Sequence, residues 1–204
     1  MHSELNRQSG ILLHLTSLPG PHGIGDLGRG AYSFVDSMTE MGQRLLQILP
    51  ANPPESLYHC PYSASSAFAG NSLLISLETL QKDGFLEDRD LADFPQCTKD
   101  RVEFDKVNPA RRALLQKAVD RFPKKAPADI LTEFNDFCIQ NRNWLDLYAM
   151  YCHLDEKYKH VNWTQWSEPL RFCDPKAIQE EFAQHQQEIN RTRILQYFFY
   201  HQWQ

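Results

Sequence analysis

One stretch limits what this chain can fold into: Ser9–Gly28, SGILLHLTSLPGPHGIGDLG, a short apolar segment that runs straight into a loop of glycine and proline. Ile11–Leu15 is a near-continuous apolar run, the pattern of a strand covered on both faces rather than of one with a wet side. Pro19, Gly20, Pro21, Gly23, Gly25 and Gly28 then place a rigid or a permissive backbone position every few residues, which disfavours helix and strand alike. Loops of this kind, following buried parallel strands, line the ligand-binding rim of α/β barrels and open sheets.

The next segments extend that frame. Phe34, Val35, Met38 and Met41 recur at helical spacing over Ala31–Met41, Gly42 stands where a helix commonly stops, and Arg44–Leu49 reads as a second short buried strand ending at Pro50. Strand, helix and strand form a βαβ unit, so the two strands are expected to be parallel, with their loops side by side at one sheet edge. The second of these loops, Ala51–Gly70, carries Pro53, Pro54 and Pro61; Asn71 then opens the apolar stretch Leu73–Leu77, a candidate strand of a rim insertion.

Composition removes several function classes. A chain of 204 residues with 42% hydrophobic content can bury a sizeable core, and a net charge of -5 argues against a polyanion-binding surface. No nucleic-acid partner is expected. No run of eighteen apolar residues and no charged, apolar leader occurs, so neither a membrane partner nor secretion is expected, and the cytoplasm is the predicted location. The five cysteines include no CxxC pair and the eight histidines are scattered, which predicts free thiols, no disulfide framework and no metal site.

The second half of the chain reads as helical. Asn108 and Pro109 suggest an N-cap and a first helical residue, with Arg112, Leu115, Val119 and Phe122 down one side. Pro123 and Pro127 separate this helix from Asp129–Arg142, where Ile130, Phe134, Phe137 and Cys138 form a stripe, and Trp144–Tyr158 reads as a third helix. Asp174 and Pro175 repeat the cap signature before a pattern that runs almost unbroken to Trp203, polar first and apolar later.

Three segments in order, SGILLHLTSLPGPHGIGDLG, GQRLLQILP and CPYSASSAFAGNSLLISLETL, resemble the 4-alpha-glucanotransferases known as amylomaltases or disproportionating enzymes. WLDLYAMYCHLDEKY, WTQW and QYFFYHQW extend the resemblance over nearly the whole chain, as a helical insertion and a return helix. The resemblance implies an α/β fold: the first units of a (β/α)8 TIM barrel in residues 1–80, with glycan-binding rim loops, and a largely helical insertion subdomain in 81–204. It implies transfer of part of an α-1,4-glucan to a new 4-hydroxyl by a retaining double displacement, with no cofactor and with maltooligosaccharides as partners. The family's catalytic carboxylates fall on later strands, beyond Gln204. A barrel of about 250 residues also cannot close within a chain that is helical over its second half. The expectation is therefore an amino-terminal portion with no catalytic residue of its own, completed by the remainder of the barrel in cis or from a second chain. On its own it should expose its strands and the apolar helix end Ile194–Phe199. A non-catalytic glucan- or partner-binding piece is the alternative.

The resemblance carries two substrate-binding candidates. Tyr62 matches the family's rim tyrosine that stacks on a sugar at the acceptor side, and Cys60 stands where a serine is usual, a weaker hydrogen-bonding group. Leu15 and Leu46 replace a usual proline and tryptophan, and Ala51–Cys60 is a residue longer than its family counterpart. Tyr58 and His59 have no counterpart in the family. Other titratable groups read as structural. His14 ends the first strand, Asp26 is expected to shape its turn by a side-chain bond to backbone, and Asp155 and Glu156 lie splayed on a helix.

Overall fold

The computed structural model describes residues 7–54 and 60–204; Tyr58, His59 and the amino-terminal His2 lie outside the described residues. Strand β1 (Gly10–Leu13), helix α1 (Arg29–Glu40) and strand β2 (Leu45–Ile48) form the expected βαβ unit. The strands pair in parallel, Gly10 beside Leu45 and Leu13 beside Ile48. Gly42, at φ +74°, follows α1 in the left-handed conformation that glycine adopts without penalty.

The strands differ from expectation in their covering. Ile11, Leu13, Leu46 and Ile48 share one half-buried face, whereas Gly10, Leu12, Leu45 and Gln47 share the other, and that face is open. Leu12 is 57% and Leu45 53% exposed. Continuous apolarity here marks two faces of which only one is covered among the described residues.

Leu73–Leu77 is not a strand. Asn71 caps a single 3-10 turn, Ser72–Leu74, and the Ser76 hydroxyl then accepts the Thr79 amide to start helix α2 (Leu77–Lys82). A short apolar run does not by itself separate strand from helix, and the two capping side chains decide the case. Helix α3 (Asp88–Ala92) is closed by a reciprocal Glu87–Asp90 box.

Helix α4 (Phe104–Lys125) begins before the expected cap and runs through both Pro109 and Pro123. The Glu103 carbonyl accepts the Lys106 and Val107 amides, and Val107 is completely buried, so packing extends the helix past Asn108. Asn108 caps nothing; its Oδ1 is buried without a partner. Leu115, Val119 and Phe122 are buried as expected, but Arg111, not Arg112, is inside, with Leu114 and Ala118.

Asp129–Arg142 and Trp144–Tyr158 merge into one helix, α5 (Ala128–Lys157). The polar segment between them stays helical because Asn141 donates to the Phe137 carbonyl at 2.9 Å and accepts from the Trp144 indole at 3.0 Å. Short helix α6 (Glu168–Arg171) follows, and Asp174 then accepts the Lys176 and Ala177 amides to start α7 (Pro175–Gln184). His185 interrupts the expected unbroken helix, and α8 (Gln186–Trp203) completes the chain.

Two compact units result, one running to Ala118 and including Phe199–Gln204, the other Val119–Phe198. In the second, Phe122 meets Phe134 and Phe198 edge to face, at ring-centre distances of 5.3 and 5.4 Å. In the first, Phe199 lies so close to Gly70 that a Cβ there would stand 2.0 Å from the ring. Gln202 receives the Ser76 amide at 2.6 Å and donates to the Ser76 carbonyl at 3.3 Å. The apolar end of α8 is therefore covered, contrary to expectation: Ile194, Phe198 and Phe199 are all buried.

Candidate functional site

The site is built at the carboxyl ends of the two strands. After Leu13, His14 turns the chain into a 3-10 turn, Leu15–Ser17, and its ring accepts the Thr16 amide at 3.3 Å and bonds the Thr16 hydroxyl. Burial pushes the His14 imidazole below its ordinary value, against the opposing pull of the Pro50 carbonyl, and so favours the neutral ring. After β2, Asn52 donates to the Ala69 carbonyl at 3.0 Å, and the Ala51 carbonyl accepts the Asn71 amide at 2.8 Å. These bonds close the second loop on itself and hold its start and end together.

Between the loops lies a cavity of about 230 Å³. Leu49, Leu73, Pro54, Pro61 and Phe104 give it apolar walls, and His14, Thr16, Asn52 and Asn71 supply polar groups. Apolar surface with a few convergent hydrogen-bonding groups suits a polyhydroxylated ring, which presents both hydroxyls and C–H faces. Among the described residues, no aspartate or glutamate lines it.

The glycine loop supports this cavity from behind. Gly25 donates to the Thr16 carbonyl at 3.1 Å, and a Cβ on Gly25 would stand 2.1 Å from the Leu15 carbonyl oxygen, so no larger residue fits. Asp26 makes the expected turn, its Oδ1 accepting the Gly28 amide at 3.0 Å. It also has an unforeseen partner: Oδ2 lies 3.3 Å from Nη2 of Arg111, which donates in addition to the Ile75 carbonyl. Burial pushes the Asp26 carboxyl up, the guanidinium pulling it back, and lowers Arg111 for the same reason. Asp26 is thus a buried tie and not a reacting group.

The two sugar-contact candidates flank a wall residue. A turn in which Ser63 donates to the Cys60 carbonyl at 3.0 Å carries Pro61, which lines the cavity, and Tyr62, which is 73% exposed. Cys60 is half-buried with a free thiol, and neither it nor Tyr62 lines the cavity itself. Elsewhere burial pushes the Cys138 thiol up to about 11 and that of Cys152 to about 12, so neither supplies a thiolate. Asp155 is engaged by His160, at 2.6 Å. Sequence reasoning missed Thr16, Asn52 and Phe104. The strand-end position marks the first two; nothing local marks Phe104, which arrives from another helix.

A family model described as 4-alpha-glucanotransferase matches residues 13–204. The 4-alpha-glucanotransferase of Streptococcus pneumoniae is 39% identical over 200 residues, covering 97% of this chain and 39% of the relative. That of Synechocystis is 36% identical over 198 residues, with 97% and 39% covered. Among solved structures, the amylomaltase from Streptococcus agalactiae in complex with acarbose superposes with a TM-score of 0.88 at 34% identity, over 97% of this chain and 39% of that one. The amylomaltase from Corynebacterium glutamicum, at 18% identity and a TM-score of 0.69, covering 96% of this chain and 27% of that one, shares the fold. The chain thus spans about 39% of the length of the bacterial relatives it matches.

Proposed function

The chain belongs to the 4-alpha-glucanotransferase family, and on that premise we propose that its protein transfers a segment of an α-1,4-glucan to the 4-hydroxyl of glucose or a maltooligosaccharide, in maltodextrin, glycogen or starch metabolism. One observation carries the reading for this part of the protein: the cavity opens where β1 and β2 end, between the two loops that follow them. In (β/α)8 barrels that face is where substrates bind. We assign residues 1–80 to the rim-bearing start of such a barrel and 81–204 to the helical subdomain; every cavity residue except Phe104 precedes residue 80. The acarbose bound to the similar amylomaltase supports an oligosaccharide ligand.

The reaction is a retaining double displacement. One carboxylate attacks the anomeric carbon while a carboxylic acid about 5 Å away protonates the departing oxygen, and an acceptor hydroxyl, not water, then resolves the glycosyl-enzyme. The absence of acidic residues from the cavity wall among the described residues supports placing that pair elsewhere in the longer protein its relatives represent. The exposed face of Leu12 and Leu45 supports completion of the sheet by further strands, in cis or from a second chain. In this scheme Tyr62 stacks on the acceptor sugar and Cys60 shapes its turn. Five free cysteines support a reducing, cytoplasmic setting, and no helix among the described residues is long and apolar enough to cross a membrane.

Incubating the complete enzyme with maltotriose should yield glucose together with longer oligosaccharides on chromatography. Only shorter products would mean hydrolysis and would sink the transferase reading, and so would unchanged maltotriose, the outcome expected of a purely glucan-binding piece.

A further inference from the structure

We propose that His153, Glu181 and His185 form a three-ligand site for a divalent cation of the zinc class, a role separate from sugar transfer. His153 comes from α5, Glu181 from α7, and His185 caps the end of α7, four residues beyond Glu181 and therefore on the same helical face. Both imidazoles address one carboxylate oxygen: His153 Nε2 lies 3.3 Å and His185 Nε2 3.6 Å from Glu181 Oε2. All three donor atoms fall within 4.8 Å of one another.

These spacings are long for charge-assisted hydrogen bonds, which favour about 2.7–2.9 Å. They match a shared metal better, because a tetrahedral zinc with bonds of about 2.0–2.1 Å sets neighbouring ligand atoms roughly 3.3 Å apart. Lys157, one turn beyond His153 on α5, donates to the other oxygen, Oε1, and so fixes the carboxylate with Oε2 toward the histidines. Its positive charge offsets the single carboxylate, which selects against calcium and magnesium, whose sites rely on several anionic oxygens, and leaves a pair of imidazoles, a donor set suited to zinc.

The backbone that carries the ligands is held. His153 stands between Met150 and Leu154, both in the buried cluster with Trp166, Leu170 and Ile189, and Ile178 and Phe182 of α7 pack on the same cluster. Entry is open, since the side chain of His185 is 32% and that of Glu181 12% exposed, while that of His153 is 7% exposed. Three protein donors leave the fourth position to water, and the bound ion would pin α5 to α7.

The test is a zinc titration of the chelator-stripped complete protein against a chromophoric competitor, with melting temperature as a second readout. Wild type should take up one zinc per chain at this site and melt higher with zinc but not with magnesium. Glu181→Gln keeps the side-chain shape and His185→Ala alters a half-exposed position; each should weaken binding at least about tenfold and abolish the zinc-induced rise in melting temperature. Circular dichroism confirms that both variants are folded. Unchanged zinc affinity in both variants, or no zinc uptake by wild type, overturns the proposal.

Discussion

Tyr62 shows how little a single exposed side chain has to do to matter. It is held on a two-bonded loop yet 73% exposed, so its ring is free to cover one face of an incoming pyranose without first breaking contacts of its own. Aromatic contacts of this kind contribute about 0.5–1.5 kcal/mol, which corresponds to roughly a two- to tenfold effect on rate or affinity. Tyr62→Ala in the complete enzyme is therefore expected to lower kcat/KM for the acceptor by that factor and to leave donor cleavage to water nearly unchanged, whereas Tyr62→Phe should be close to wild type. Steady-state transfer rates across a range of acceptor concentrations check this, and identical profiles for Tyr62→Ala and wild type would remove the ring from the site. His14 is the contrasting residue. It lines the cavity, but its ring is already committed to Thr16, so it shapes the wall more than it reads the ligand.

Among the elements, the decisive link joins the glycine loop to α4. Arg111 is fully buried and Asp26 6% exposed, so each charge relies on the other and on the Gly28 amide and Ile75 carbonyl around them. Removing one partner leaves the other charged and dry, a change that typically costs about 3–5 kcal/mol. Asp26→Ala should thus lower the urea midpoint sharply, and the paired Asp26→Ala/Arg111→Met change should recover much of the loss; a cost below about 1 kcal/mol for Asp26→Ala would show that the pair is dispensable. This tie also marks where reading the sequence stops. Both strands and α1 are legible within two residues, because apolar runs and a glycine stop are local signals. Arg111 is not legible, since Arg112 fits the same helical stripe and only Asp26, far away in sequence, selects between them. Leu73–Leu77 fails for a related reason: its four apolar residues suit either regular structure, and hydroxyl and amide caps settle the matter. The histidine cluster escapes because its members lie on two helices separated by 28 positions.

For the whole molecule, the open face of the sheet and a cavity with no acidic side chain among its described residues lead to a joint prediction about residues 1–204. A two-stranded parallel pair is a small structure whose outer face here presents Leu12 and Leu45, at 57% and 53% exposure, and contiguous apolar surface of this kind promotes association. The buried end of α8 cannot contribute, because Phe198 and Phe199 are both buried. Purified residues 1–204 should therefore sediment as oligomers, and Leu12→Ser/Leu45→Ser should shift them toward monomer while the helical circular dichroism remains. The same preparation should give no product from maltotriose, since glycosyl transfer needs two carboxyl groups held about 5 Å apart across the scissile bond and the described residues of the cavity wall offer none. Sedimentation velocity and chromatography read the two outcomes separately. A wild-type monomer would show that the strand face is not adhesive, whereas any longer oligosaccharide formed by residues 1–204 alone would place a reacting carboxylate pair within them and overturn the division of labour proposed for the protein.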